Sequence, residues 1–229
     1  MKLALIGTHG VGKTTLAYDI CALLKKQGRN VELVTEVARR CPFPVNETTT
    51  LEAQLWIQHA QIAAELEAAQ RAEFVICDRA VLDNYCYLVN RCGRQPALES
   101  WLEHWLGTYS LLVGIPLVRE SIYAEGFRQP ALDDGFRATD RAFQQRIDSL
   151  IKEMLTEPPF ERFSERVLWL DGIEQRQWAD KAVAALQSPA AAATAPRRRL
   201  SCSLSLPLLW LALRAEVRAA SGQHQPLNG

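Results

Sequence analysis

The stretch Gly7-Thr8-His9-Gly10-Val11-Gly12-Lys13-Thr14-Thr15 puts three glycines, a lysine and hydroxyl side chains at the spacing of a phosphate-binding loop. It fits G-x-x-x-x-G-K-[ST], and each part of the pattern has a physical reason. Glycines let the backbone curl so that successive N–H groups point at phosphate oxygens, where a Cβ would collide. Lys13 has the reach for β- and γ-phosphates, and the Thr14 hydroxyl suits Mg²⁺. The helix that follows directs its positive end at the anion. Gly7 through Thr15 are therefore expected to hold a nucleoside triphosphate, ATP with Mg²⁺.

What removes the γ-phosphate must be read further along. The segment Phe74-Val75-Ile76-Cys77-Asp78 reads as a buried strand ending in an acid, which is expected to serve the metal with Thr14. Hydrolases of the AAA type follow that acid with a glutamate that polarises water; here the next residue is Arg79. No N-K-x-D string for reading guanine occurs. An Asp-Arg pair suits a small-molecule kinase, with Arg79 orienting an acceptor or neutralising charge on the moving phosphoryl group. The plainer alternative pairs Arg79 with Asp83 at a helix start. Glu36, after the run Val31–Thr35, is placed to accept the proton of an acceptor hydroxyl, and Arg39 and Arg40 to hold an acidic or phosphorylated one. Alternatively, Glu36 is only a helix-start acid favoured by the dipole. Arg128, Arg137 and Arg141 fall in a late segment that reads either as a lid closing over ATP or as a solvated charged face. If Thr139 caps the next helix, Arg141 stands in its first turn, against the dipole by about 0.3–1 kcal/mol.

These residues need a scaffold. Short apolar runs at Lys2–Ile6, Val31–Thr35, Phe74–Cys77, Ser110–Val113 and Val167–Leu170 read as strands buried on both faces of a parallel sheet. Helical patterns cover Lys13–Gln27, Thr50–Ala72, Ala97–Trp105, Asp140–Leu155 and Glu174–Leu186. The alternation predicts an α/β P-loop NTPase fold, a five-stranded parallel sheet with helices on both faces and a kinase-like lid. Helix Thr50–Ala72 carries Trp56, Gln58, His59 and Gln61; its polar residues either face an acceptor or form the wet edge of a packed helix, and the wet edge is the plainer reading.

Composition narrows the function classes. Lys plus Arg and Asp plus Glu both number 26, so no basic field argues for nucleic acid. The six cysteines form no CxxC pair, and with only four histidines they suggest reduced thiols and no zinc site. The N-terminal apolar run stops at Gly7, too soon for a signal peptide, and no segment approaches a membrane span. A cytoplasmic protein is expected. Residues 1–187 are expected to form the nucleotide-binding domain. Residues 188–229, "SPAAAATAP" followed by three arginines and an apolar tail, are expected to be a linker with either a poorly ordered tail or a membrane-surface helix.

Together "GTHGVGKTTL", "TEVARR", "CDRAVLDNY" and "DDGFRATDR" resemble the AAA-type P-loop family related to nicotinamide riboside kinase, over about Met1 to Leu186. The "DRAVLDNY" segment is also similar to thymidylate and deoxynucleoside kinases. The resemblance implies ATP, Mg²⁺ and a small nucleoside-like acceptor. It places Glu36 and Arg39 at the acceptor, extends that side to Arg79, Asp83 and Tyr85, and puts Arg137 and Arg141 in the lid. A kinase module without the adenylyltransferase domain of bifunctional nicotinamide enzymes is expected. The rival reading is a nucleotide-dependent switch or slow NTPase working through a partner.

Overall fold

A run of apolar residues can be buried on both sides only if helices cover both sides of its sheet, and the strands here are of that kind. The computed structural model describes residues 1–45, 48–118 and 141–194. Five strands, β1 (Lys2–Ile6), β2 (Val31–Val34), β3 (Phe74–Cys77), β4 (Leu111–Gly114) and β5 (Val167–Trp169), form one sheet in the order β2-β3-β1-β4-β5. All four pairings are parallel, with Leu3 level with Ile76 on one side and Leu111 on the other. Every residue of β1, β3 and β4 is buried.

The helices are α1 (Lys13–Lys26), α2 (Leu51–Arg71), α3 (Val81–Cys92), α4 (Pro96–Leu106), α5 (Arg141–Met154), α6 (Trp178–Leu186) and α7 (Pro189–Thr194). Side chains alternate across the strands and divide the core into two layers. Leu3, Leu5, Phe74, Ile76 and Val113 pack on Leu16, Ile20 and Leu24 of α1 and on Trp178 and Val183 of α6. Ala4, Ile6, Val75, Cys77 and Leu112 face α2, α3, α4 and α5. The expected α/β fold and five-stranded parallel sheet are what the chain adopts.

Strands β1 and β3 have the expected ends and the other expected elements, Glu174–Leu186 aside, differ by one residue at one end or both; Thr50 stands outside α2 as its cap, accepting from the Ala53 N–H at 3.3 Å. Expected helix Glu174–Leu186 splits into a 3₁₀ turn, Gln175–Gln177, and α6. Helix α3 was not among the expected helical patterns, although the alternative pairing of Arg79 with Asp83 set a helix start there. Its first eight residues, Val81 to Leu88, are all buried, polar Asp83 and Asn84 among them. The described residues lie in the compact unit Met1–Pro196, whose last helix, α7, occupies part of the small-residue segment and buries Ala191.

Buried polar groups tie the layers together. Glu65 of α2 accepts from Lys2 Nζ at 2.6 Å, Trp105 Nε1 at 2.8 Å and the Tyr109 hydroxyl at 2.7 Å. That tyrosine oxygen in turn accepts from the Val81 N–H at 3.2 Å, fixing the start of α3. At the β4–β5 edge a Cβ on Gly114 would lie 2.2 Å from the Trp169 ring. Gly114→Ala should therefore push Trp169 aside and cost about 1–3 kcal/mol. Thermal melts, with tryptophan fluorescence reporting the ring, check this; an unchanged melting temperature and spectrum would refute it.

The strand order fixes where ligands can gather. From β1 the chain crosses to β2 at the edge and returns to β3, then passes β1 to reach β4 on its other side. In such sheets the crevice lies beyond the carboxyl ends of the strands at this switch point.

Candidate active site

The loop after β1 has the shape that its glycines allow. Gly7, Gly10 and Gly12 have φ of 153°, 73° and 89°, values a side chain disfavours. A Cβ on Gly7 would also lie 3.0 Å from the Ile115 carbonyl oxygen. Gly12 caps α1 without a side chain, leaving the first N–H groups of the helix to a ligand. Thr8, His9, Val11 and Lys13 are buried, Gly10 and Thr14 partly so, and Thr15 is exposed.

Lys13 bends back over the loop. Its ammonium donates to the carbonyl of Gly7 at 2.7 Å and to that of Thr8. Burial, then the Arg79 charge, lowers its pKa to about 8, against the opposing pull of Asp83 and Asp78. The Thr14 hydroxyl donates to Asp78 Oδ2 at 2.7 Å, so the two expected metal ligands meet across β1 and β3. Two adjacent hard oxygens at a phosphate loop fit Mg²⁺. Burial raises the Asp78 pKa, with Thr14 and Lys13 opposing; a cation there would hold the carboxylate ionised.

Glu36 and Arg79 stand at the neighbouring strand ends, after β2 and β3. Arg79 donates through Nε to Glu36 Oε1 at 2.7 Å, and its Nη2 lies 2.6 Å from the same oxygen. Arg39 adds a bond to Glu36 Oε2 at 3.1 Å. Burial alone would raise Glu36, but Arg79, Lys13 and Arg39 outweigh it and hold the acid at about 2. Glu36 occupies the N-cap position of the 3₁₀ turn Val37–Arg40, without a side-chain capping bond, and lines a cleft. Arg79 takes Glu36 and not Asp83 as its ion-pair partner. This small cleft, open to solvent, lies against the Glu36–Arg79 pair, lined also by Ala38, Val45, Gln54, Ile57, Asn84 and Tyr87.

Asp83 and Tyr85 go elsewhere. Asp83, fully buried, accepts from the Gly7 N–H at 3.1 Å and belongs to the phosphate loop; burial raises its pKa to about 6. Tyr85 points away from the cleft, donating to Glu99 at 2.6 Å and accepting from the Gln95 N–H at 2.8 Å. Two helical residues apart lie on different sides of α3, so the one segment serves both the loop and the core. Arg40 is exposed beyond Arg39. Arg141 is exposed in the first turn of α5, three residues before Gln144, whose Nε2 donates to the His9 carbonyl at 2.7 Å. Arg128, Arg137 and Thr139 lie outside the described residues.

Gln58 and Gln61 are buried and form no wet edge, and Gln54, which the sequence reading did not single out, is buried with them. Gln58 and Gln61 donate to the carbonyls of Val81 and Arg79, both at 3.0 Å, and so hold the turn that presents Arg79. Their spacing of three and four, which aligns them on one helical face, was the available signal. Tyr87, Asn84 and Gln144 carried none. His59, by contrast, is exposed, stacking on Trp101 and meeting the Leu55 carbonyl through Nδ1 at 2.7 Å.

The geometry can now be set beside known proteins. A family model described as AAA domain matches residues 2–176. No curated protein matches the chain. Among solved structures, deoxyadenosine kinase from M. mycoides with bound dATP superposes with a TM-score of 0.54 at 15% identity, over 82% of this chain and 100% of that one. A NadR protein in complex with NR gives 0.59 at 17% identity, over 81% of this chain and 50% of the other, so this chain spans half of that relative. At these identities the likeness is one of fold alone. No helix among the described residues is long and apolar enough to cross a membrane. With a phosphate loop of this shape and a family match over most of its length, the chain belongs to the AAA domain family.

Proposed function

We propose that this protein is an ATP-dependent kinase that transfers the γ-phosphoryl group to a hydroxyl of a small nucleoside-like acceptor. The observation that carries this reading is the Glu36–Arg79 ion pair, set in a cleft at the strand ends next to the phosphate loop. Hydrolases of the AAA type set a water-activating glutamate directly after the strand-end acid; this chain puts there, after Asp78, a guanidinium tied to a carboxylate.

In this scheme Gly7–Thr15 cradle the triphosphate, with Lys13 moving from the loop carbonyls to the phosphate oxygens. Thr14 and Asp78 would hold Mg²⁺, whose charge offsets that on the β- and γ-phosphates. Glu36 accepts the hydrogen bond of the acceptor hydroxyl and takes its proton as the new P–O bond forms and the bond to ADP breaks. An acid near pKa 2 is a weak base, which suits a loose transition state in which the nucleophile keeps its proton until late. Arg79 holds Glu36 in place, and Arg39 closes the other side of that carboxylate. The lid arginines, Arg137 and Arg141, are proposed to meet the transferring group; Arg141 starts the helix whose Gln144 touches His9.

The direct test presents ATP and Mg²⁺ with nucleosides, nicotinamide riboside and nucleoside monophosphates and follows ADP and phosphorylated product. Product from a nucleoside supports the reading. Hydrolysis unaffected by every acceptor, or dependent on a protein partner, would replace it with the switch.

Lys13 predicts the pH dependence. Phosphates favour the charged ammonium, so its pKa rises from about 8 when ATP binds. Below that pH Lys13 is protonated in both states and affinity should be flat. Above it binding takes up a proton, and Kd should climb towards about tenfold per pH unit. Calorimetry at pH 9 in buffers of different ionisation enthalpy should register the uptake. A Kd constant from pH 7 to 9.5 would contradict it.

A further inference from the structure

Helix α3 touches the phosphate loop at two points four residues apart, on one face. Asp83 accepts from the Gly7 N–H, and the Tyr87 hydroxyl meets His9 Nδ1 at 3.1 Å. Tyr87 also belongs to the wall of the acceptor cleft, and its ring lies 5.2 Å from the guanidinium carbon of Arg79. One side chain thus borders the cleft on one side and the loop on the other.

His9 is gripped from the second side as well. Its carbonyl accepts from Gln144 of α5, and its ring lies 5.5 Å from Phe143, which meets the Tyr87 ring edge-on at 5.9 Å. The backbone of His9 is part of the loop whose N–H groups must converge on phosphate. A shift of Tyr87 therefore has a direct route, through one hydrogen bond and one ring contact, to the curvature of that loop. Packing alone does not ask for the hydroxyl, because phenylalanine would fill the same space.

We propose that Tyr87 is a positioning residue that ties the acceptor cleft to the phosphate loop through His9, so that filling the cleft tightens the hold on the triphosphate. Thermodynamic linkage makes the effect mutual: bound triphosphate tightens the cleft by the same factor. The proposal rests on the kinase reading in taking the occupant of the cleft to be the phosphoryl acceptor.

The test has two arms. In the first, the affinity for a non-hydrolysable ATP analogue with Mg²⁺ is measured without acceptor for the wild type, Tyr87→Phe, His9→Ala and the double variant. Each single variant should weaken binding about two- to tenfold, the worth of one net hydrogen bond. The double variant should be no weaker than the weaker single one, because both remove the same contact. Melting temperature should hold for Tyr87→Phe, since its ring remains. Unchanged affinity in Tyr87→Phe, or losses that multiply in the double variant, would overturn the proposal.

In the second arm, deoxyadenosine and nicotinamide riboside serve as cleft probes. A probe that is phosphorylated by the wild type should tighten its hold on the analogue, and should fail to do so in Tyr87→Phe while still binding. Equal tightening in both proteins would overturn the proposal. Probes without effect on the wild type count against the kinase reading or its acceptor class, and the first arm then decides on Tyr87 by itself.

Discussion

Lys13→Ala should reduce ATP turnover by about 10²–10³-fold or more and weaken the binding of ATP. A preorganised donor at developing phosphoryl charge is worth that much, and nothing else in the loop carries a positive charge. The fold should survive. Lys13 is 5% exposed, and burial disfavours its charge, which lowers its pKa. Removing it relieves that penalty while leaving the Gly7 and Thr8 carbonyls without one donor, so the net change in stability should stay within about 1 kcal/mol. Lys13→Met, which keeps the length of the side chain, should behave alike and separates loss of charge from loss of packing. Turnover, nucleotide titration and a thermal melt on both variants provide the check. Wild-type affinity and turnover in either one would remove this loop from the mechanism.

Glu36→Gln should lower phosphoryl transfer by about 10²–10⁴-fold, the usual worth of a positioned proton acceptor. Glutamine keeps the shape of the side chain and can still accept a bond from Arg79, but it takes no proton. ATP affinity should change little, because Glu36 lies beyond β2, two strands from β1 and its loop. Stability should fall, since Arg79 is 7% exposed and loses its counter-charge. The discriminating measurement is single-turnover transfer to the acceptor identified by screening, beside nucleotide affinity and the melting temperature. A switch protein would keep its basal hydrolysis in this variant. Transfer at the wild-type rate would take Glu36 out of the chemistry.

Much of the scaffold was legible because burial on both faces leaves a plain mark. Four- and five-residue apolar runs separated by amphipathic helices mean a parallel sheet covered on both sides. Helix α3 escaped for the converse reason: its polar residues Asp83 and Asn84 are buried and turned to the loop and the cleft, so they mark no solvent face. Tyr87 was hidden too, because it looks in sequence like one more core aromatic.

The sequence by itself determined the phosphate loop, because its function needs only neighbouring residues: glycines for the curl, Lys13 and Thr14 directly after, a strand before and a helix behind. It also marked Glu36, Asp78 and Arg79 as groups at strand ends. Only the tertiary structure decided who meets whom. The order β2-β3-β1 sets Glu36 against Arg79 and Thr14 against Asp78, across separations of 43 and 64 residues. It sent Asp83 to the loop and Tyr85 to Glu99. Partners brought together by strand order leave no local spacing to read, because the pairing is set by packing of the whole sheet and not by the reach of a short segment.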